Sequence, residues 1–285
     1  MAETLINPAS QLLVPIHLDA FVATGTSGLH KDLSLDLNNL KNYSNCGGLG
    51  VYIEKDIIQN NNTAFYSNNP GVHLHWVMPK GFRHGTHNPD NNSLDFPLVP
   101  NRWLVVRTDN QNQLKAWIIE SDFIDQKATE GFNWIQVSVA KDSSVKKYTP
   151  VKTGRSSILQ NWKENKSDAL FLNVIAAGDP GFAAAYLHSK NVFGFYDDMS
   201  NVDKNSLFDY RGFGWFSDSS CDPLFDLKDL DDLKKKLGSL SWSLGNIDSL
   251  TSASMPNTIL CHATTHSVSY GSNLSSMFTR GELLS

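Results

Sequence analysis

The stretch NRWLVVRTDNQNQLKAWIIESDF, residues 101–123, decides the architecture. Two runs of aromatic and β-branched residues, NRWLVVRT and LKAWIIESDF, flank the polar loop DNQNQ. That pattern predicts an antiparallel hairpin. Side chains alternate across a strand, so Trp103 and Val105 share one side while Leu104 and Val106 share the other. A strand apolar on both faces is buried on both faces. The first arm is therefore expected to be a central strand, covered by a helix or a second sheet. Just upstream, Pro97 and Pro100 stiffen the approach, and Asn101 and Arg102 can fix the strand start by hydrogen bonds.

Working outward, the sequence predicts more strands. Residues 12–22 (LLVPIHLDAFV) read as strand with an edge or bend at Pro15. GLGVYIEKDII (48–58), GVHLHWVM (71–78), FNWIQVSV (132–139) and ALFLNVIAA (169–177) follow. The aromatic runs NVFGFYDD (191–198) and YRGFGWFSD (210–218), and finally NTILCHATTHSVSY (257–270), complete the set. Two helices are expected. DPGFAAAYLHS (179–189) has a capping Asp and an early Pro. DPLFDLKDLDDLKKKLGSL (222–240) spaces Leu227, Leu230, Leu233 and Leu237 helically, with acids early, lysines late and Gly238 as its end. The fold class is thus α+β and β-rich, with mixed or antiparallel sheets and two or more short helices. Residues 1–285 read as one compact unit; the polar stretch 141–167 is where it would divide into two lobes.

Bulk composition narrows the function. With 40% hydrophobic and 19% charged residues the chain is a globular one. A net charge of -5 provides no basic field for a phosphate backbone, so no nucleic-acid partner is expected. The three cysteines, Cys46, Cys221 and Cys261, show no CxxC spacing and fit a reducing compartment. No basic n-region precedes an apolar run at the N-terminus, and no stretch reaches the ~20 apolar residues of a membrane span. The expectation is a soluble, cytoplasmic protein without a membrane span, with export by a machine that needs no signal peptide left open.

His73 and His75, two apart in GVHLHWVMP, would lie on one face of a strand and are the candidate metal ligands, with zinc the ion considered. Two ligands are too few. His84, His87, His262 or His266 would have to complete the set, the last two by a composite site from two strands. The competing reading has His73 and His75 hydrogen-bonding from a half-buried strand and stacking against Trp76. Asn201, Asp203, Asn205 and Asp209 alternate as in a calcium loop but lack its central glycine and closing Glu, which favours an Asx-rich turn. Asp197 and Asp198 are adjacent and should face opposite ways at a strand end. No nucleophile elbow, phosphate cradle or acid–base–nucleophile set is visible, so no catalytic or cofactor-binding residue is assigned. Cys261 reads as a small buried hydrophobe.

Several blocks carry a family resemblance: GVHLHWVMPKGFRHG, FPLVPNRWLVVR, GDPGFAAAYLHSKNVFGFYDD, GWFSDSSCDPL, LGSLSWSL and TILCHATTHSVSY. Together they resemble the N-terminal region of a group of long, uncharacterised bacterial proteins. That group is marked by a G-[VI]-H-L-H-W strand followed by a proline and by an F-P-x-V-P-N-R-W-L-V-V-R block. The resemblance spans about residues 71–268. It implies a short member or a piece of a longer chain. Some relatives lie in gene neighbourhoods resembling those of contractile injection systems, which implies a cargo or adaptor with a protein partner in a larger assembly. The group supplies no catalytic residues. The resulting expectation is a non-enzymatic binding or structural module, with exposed aromatics such as Trp162 as partner anchors. The alternative is a zinc-dependent enzyme, a hydrolase acting as a toxin.

Overall fold

The computed structural model describes residues 11–23, 71–90, 92–125, 135–138, 148–164, 172–174, 193–203, 206–251, 254–271 and 278–280. The expected strand at 48–58 and helix at 179–189 lie outside these residues, as does most of 169–177. The strands are β1 (Gln11–Pro15), β2 (His17–Ala23), β3 (Gly71–Val77), β4 (Thr86–Asn88), β5 (Ser93–Asp95), β6 (Arg102–Asp109) and β7 (Leu114–Asp125). They continue as β8 (Ile135–Ser138), β9 (Tyr148–Ile158), β10 (Gly194–Asp197), β11 (Leu207–Trp215), β12 (Thr258–Ser269) and β13 (Phe278–Arg280). The helices are α1 (Lys80–Arg83) and α2 (Leu230–Ser239). The fold is β-rich α+β.

Seven strands form one mixed sheet in the order β1-β12-β11-β6-β7-β9-β8; β1 runs parallel to β12 and the other pairs are antiparallel. Four strands form an antiparallel sheet in the order β10-β3-β2-β13. β6 sits in the middle of the larger sheet, but only one of its two apolar faces is fully buried. Its inner side chains Trp103 and Val105 are buried and meet the smaller sheet: Trp76 stacks on Trp103 at 5.1 Å and Phe195 on Trp117 at 4.8 Å. Leu104 and Val106, on the other face, are half-buried. At Pro15 the chain leaves the larger sheet, and β2 then enters the smaller one, so the two sheets share a core of Val14, Ile16, Leu18 and Ile259. The stretch 148–158, part of the polar region 141–167, is strand β9.

The hairpin closes through its own loop chemistry. Asp109 accepts hydrogen bonds from the Gln111 and Gln113 N–H groups at 2.9 and 2.8 Å, while Asn112 takes the left-handed conformation at φ 60°. α2 starts later than the leucine spacing predicts. Asp229 caps it by accepting from the Asp232 N–H at 2.9 Å, and Leu233 and Leu237 enter the core. Upstream, Asp222 is committed elsewhere: its carboxylate accepts from the Leu224 N–H at 2.8 Å and the Ile259 N–H at 2.7 Å. It thereby fastens the 216–257 excursion to the start of β12.

Burial raises the Asp222 carboxyl from 3.8 to about 6, against the opposing pull of those two N–H donors. The folded state therefore binds the proton more tightly than the unfolded chain, and the contribution of Asp222 to stability declines as pH rises from about 4 to about 6. We expect wild type to lose roughly 2–3 kcal/mol relative to Asp222→Asn across that window. Urea midpoints of both proteins measured from acid to neutral pH check this, and a difference of opposite slope would contradict it.

Candidate functional site

His73 and His75 do share the outer face of the smaller sheet, alternating with buried Val72, Leu74 and Trp76. The His73 ring stacks on Tyr196 of β10 at 4.7 Å, and His75 lies opposite Asp19 of β2 in the strand register. Asp19 in turn meets His17 Nε2 at 2.9 Å. None of the four histidines expected to complete the set is brought here. His84 and His87 are exposed, His87 meeting Asn92 at 3.0 Å. His262 alternates with buried Cys261 and Ala263 and so lies on the outer face of the larger sheet, with the whole core between it and His73. His266 pairs with Asp209 at 3.0 Å. Burial raises the Asp209 carboxyl, but the Ser267 N–H and His266 outweigh it and hold it below its usual range. The composite two-strand site is therefore not assembled. Among the described residues no three His, Cys, Asp or Glu side chains are grouped to hold a metal ion.

Two charged clusters were not foreseen as units. The first lies where the hairpin begins. Arg102 reaches Asp122 and, at 3.9 Å, Glu120; Arg155 binds the other oxygen of Glu120. Asn101 donates to Asp122 at 2.7 Å and to the Ser217 hydroxyl at 2.9 Å, and accepts from the Ser217 N–H at 2.8 Å. The FPLVPNRW block thus fixes its strand start by hydrogen bonds, as Asn101 and Arg102 suggested. Arg102, Glu120 and Asp122 are buried, while Arg155 and Glu164, 3.8 Å from Arg102, reach the surface.

The second cluster joins the two sheets and opens to solvent. Arg107, on the inner face of β6, donates to Asp197 of β10 at 2.5 Å. Tyr210 of β11 donates to the same oxygen at 3.1 Å. Burial, then the Asp197 carboxylate, holds the Tyr210 phenol far above its usual range, so it stays a donor. The Arg107 guanidinium lies over Trp117 at 5.5 Å and Phe208 at 5.3 Å. Asp197 faces inward and Asp198 outward, as adjacent strand residues must.

Above this floor is a cleft of about 410 Å³, a volume suited to a small ligand or a short segment. One wall is the hairpin tip with Gln111, Gln113, Leu114 and Lys115; the other is formed by Ser200, Asn201, Val202, Asp203 and Ser206. The second wall is held rigidly. Asp197 accepts from the Met199 N–H at 3.2 Å, and Asp198 accepts from the Ser200 N–H at 2.9 Å. The Ser200 bond is the main reason that Asp198 titrates below its usual range. Met199 and Asn201 adopt left-handed backbone at φ 53° and 59°. Such conformations persist only where their surroundings enforce them, and they concentrate at functional sites. Asn201 and Asp203, read as a calcium-like alternation, are part of this wall; Asn205 lies outside the described residues. The sequence signal that could have marked the site was the hydrophilic Arg107 at a position where Trp103 and Val105 predict an inward side chain. Trp162, expected as an exposed anchor, is half-buried with its indole nitrogen sealed from solvent.

Among the described residues no helix is long and apolar enough to cross a membrane. Comparison with protein-family models, with curated proteins and with solved structures returns no match.

Proposed function

We propose that the chain is a non-enzymatic binding module of a larger bacterial assembly, a cargo or adaptor of a contractile injection system, and that it meets its protein partner at the Arg107 cleft. The observation that carries the reading is the cleft itself. Hydrogen-bonding side chains stand on two walls pinned by Asp109, Asp197 and Asp198 over a buried charged floor. Such preorganised walls lose little freedom on binding. Leu114, 63% exposed at the rim, adds an apolar contact of the kind that partners cover. The resemblance of GVHLHWVMP and FPLVPNRWLVVR to the long bacterial proteins supports the assembly. Those blocks form β3 and β6, and the second ends in Arg107, which lines the cleft.

Affinity purification from native lysate tests this. Wild type should recover a stoichiometric partner, and Ser200→Trp, which fills the cleft mouth, should lose it while melting unchanged. Recovery of the wild-type chain alone, or an undiminished partner with Ser200→Trp, would contradict the reading.

A further inference from the structure

The charges around the cleft are matched within the molecule. Arg107 donates to Asp197 and is hydrogen-bonded to Tyr210, and Asp198 acts on both Lys115 and Arg107. Asp109 holds the Gln111 and Gln113 N–H groups, and Asp203 is engaged as well. The groups left without a partner are neutral ones. Ser206 lines the cleft and is only 3% exposed. Its hydroxyl makes no hydrogen bond among the described residues, yet it is not sealed from solvent, so it opens into the cleft. A hydroxyl buried to this degree is ordinarily paired. On the facing wall, Gln113 Nε2 donates to Gln111 Oε1 at 3.3 Å. Whichever way two such amides are turned, the pair keeps one amide N–H edge and one carbonyl oxygen for a ligand. The Asp109 bonds fix the backbone of both glutamines, so the pair is positioned in advance.

We propose that the cleft takes an Asn or Gln side chain of the partner protein, its carboxamide docking on the Gln111–Gln113 pair and the Ser206 hydroxyl. This rests on the cleft being the partner site. A carboxamide carries a donor and an acceptor side by side, and the glutamine pair offers their complements. The Ser206 hydroxyl both gives and takes hydrogen bonds, so it serves either atom of the amide. Charge selects for the same group. Asp109 and Asp203 line the cleft together with Arg107 and Lys115, so an anion or a cation entering it meets like charge, and a neutral amide does not. Leu114 on the rim suits the methylene groups of the entering side chain.

The test is titration of the full chain by NMR, reading the backbone amides of the two cleft walls. The probes, at millimolar concentration, are acetyl-Ala-Gln-Ala amide, its Asn counterpart, and the same peptide with Glu, Lys or Ala at the centre. Binding of the Gln or the Asn peptide ahead of the other three supports the proposal. Ser206→Ala should weaken that binding about three- to tenfold, the worth of one neutral hydrogen bond. It should leave the melting temperature in place, whereas a hydroxyl with a structural role would lower it. Equal binding of the Ala peptide, preference for Glu or Lys, absence of binding by both amide peptides, or a Ser206→Ala protein that binds as wild type or melts lower would overturn it. If Ser200→Trp loses the co-purified partner while neither amide peptide binds, the ligand class is wrong and the cleft stands. If the amide peptides bind while Ser200→Trp keeps the partner, the carboxamide site stands and the partner lies elsewhere.

Discussion

Replacing Arg102 by Met is expected to destabilise the protein by about 3–5 kcal/mol, the range for a buried ion pair that loses one member. The reason lies in what is left behind. Glu120 and Asp122 are each 2% exposed, and only Glu120 retains a cation, Arg155. Asp122 would keep the Asn101 amide as its support. Neutralising the acids in the same protein, with Glu120→Gln and Asp122→Asn, should restore much of the loss, because the penalty is an uncompensated charge rather than a missing contact. Urea denaturation with an unchanged slope and a lowered midpoint would report it. A loss below about 1 kcal/mol, the worth of a solvated surface pair, would show that water reaches these groups.

The second large effect is at the contact between the sheets. Trp103→Ala should cost about 3–5 kcal/mol, since the ring is 1% exposed and stacks on Trp76. Its cross-strand neighbour Gly214 leaves the space that the indole fills: a Cβ there would stand 2.2 Å from Trp103 Cζ3. Gly214→Ala alone should therefore cost about 1–3 kcal/mol by overpacking. In the Trp103→Ala background the same substitution should cost little, a coupling of at least about 1 kcal/mol. Additive losses would mean that the two residues do not share this space.

What was legible in the sequence follows from what is local. The hairpin at 101–123 could be read because alternation and an Asp-led polar loop are short-range signals. The central position of β6 followed from its apolar residues, although only the Trp103 and Val105 face is fully buried while Leu104 and Val106 are half-buried. The α2 start was misplaced because Asp222 answers to Ile259, 37 residues away, and no local pattern carries that bond. The site was illegible for the same reason. Arg107 and Asp197 are 90 residues apart and come from different sheets, so neither strand by itself shows a charged pair. His73 and His75 were conspicuous because i, i+2 spacing is visible in one strand. The far face of the other sheet holds His262, and only the packing of the sheets reveals that separation.

Amide hydrogen exchange on the chain bound to its co-purified partner tests the central claim, that the cleft is where this protein binds. Slower exchange on binding should concentrate at the hairpin tip, residues 109–115, and at the opposing wall, residues 198–203. Protection confined instead to β3 and β10, with their His73–Tyr196 face, would contradict the account.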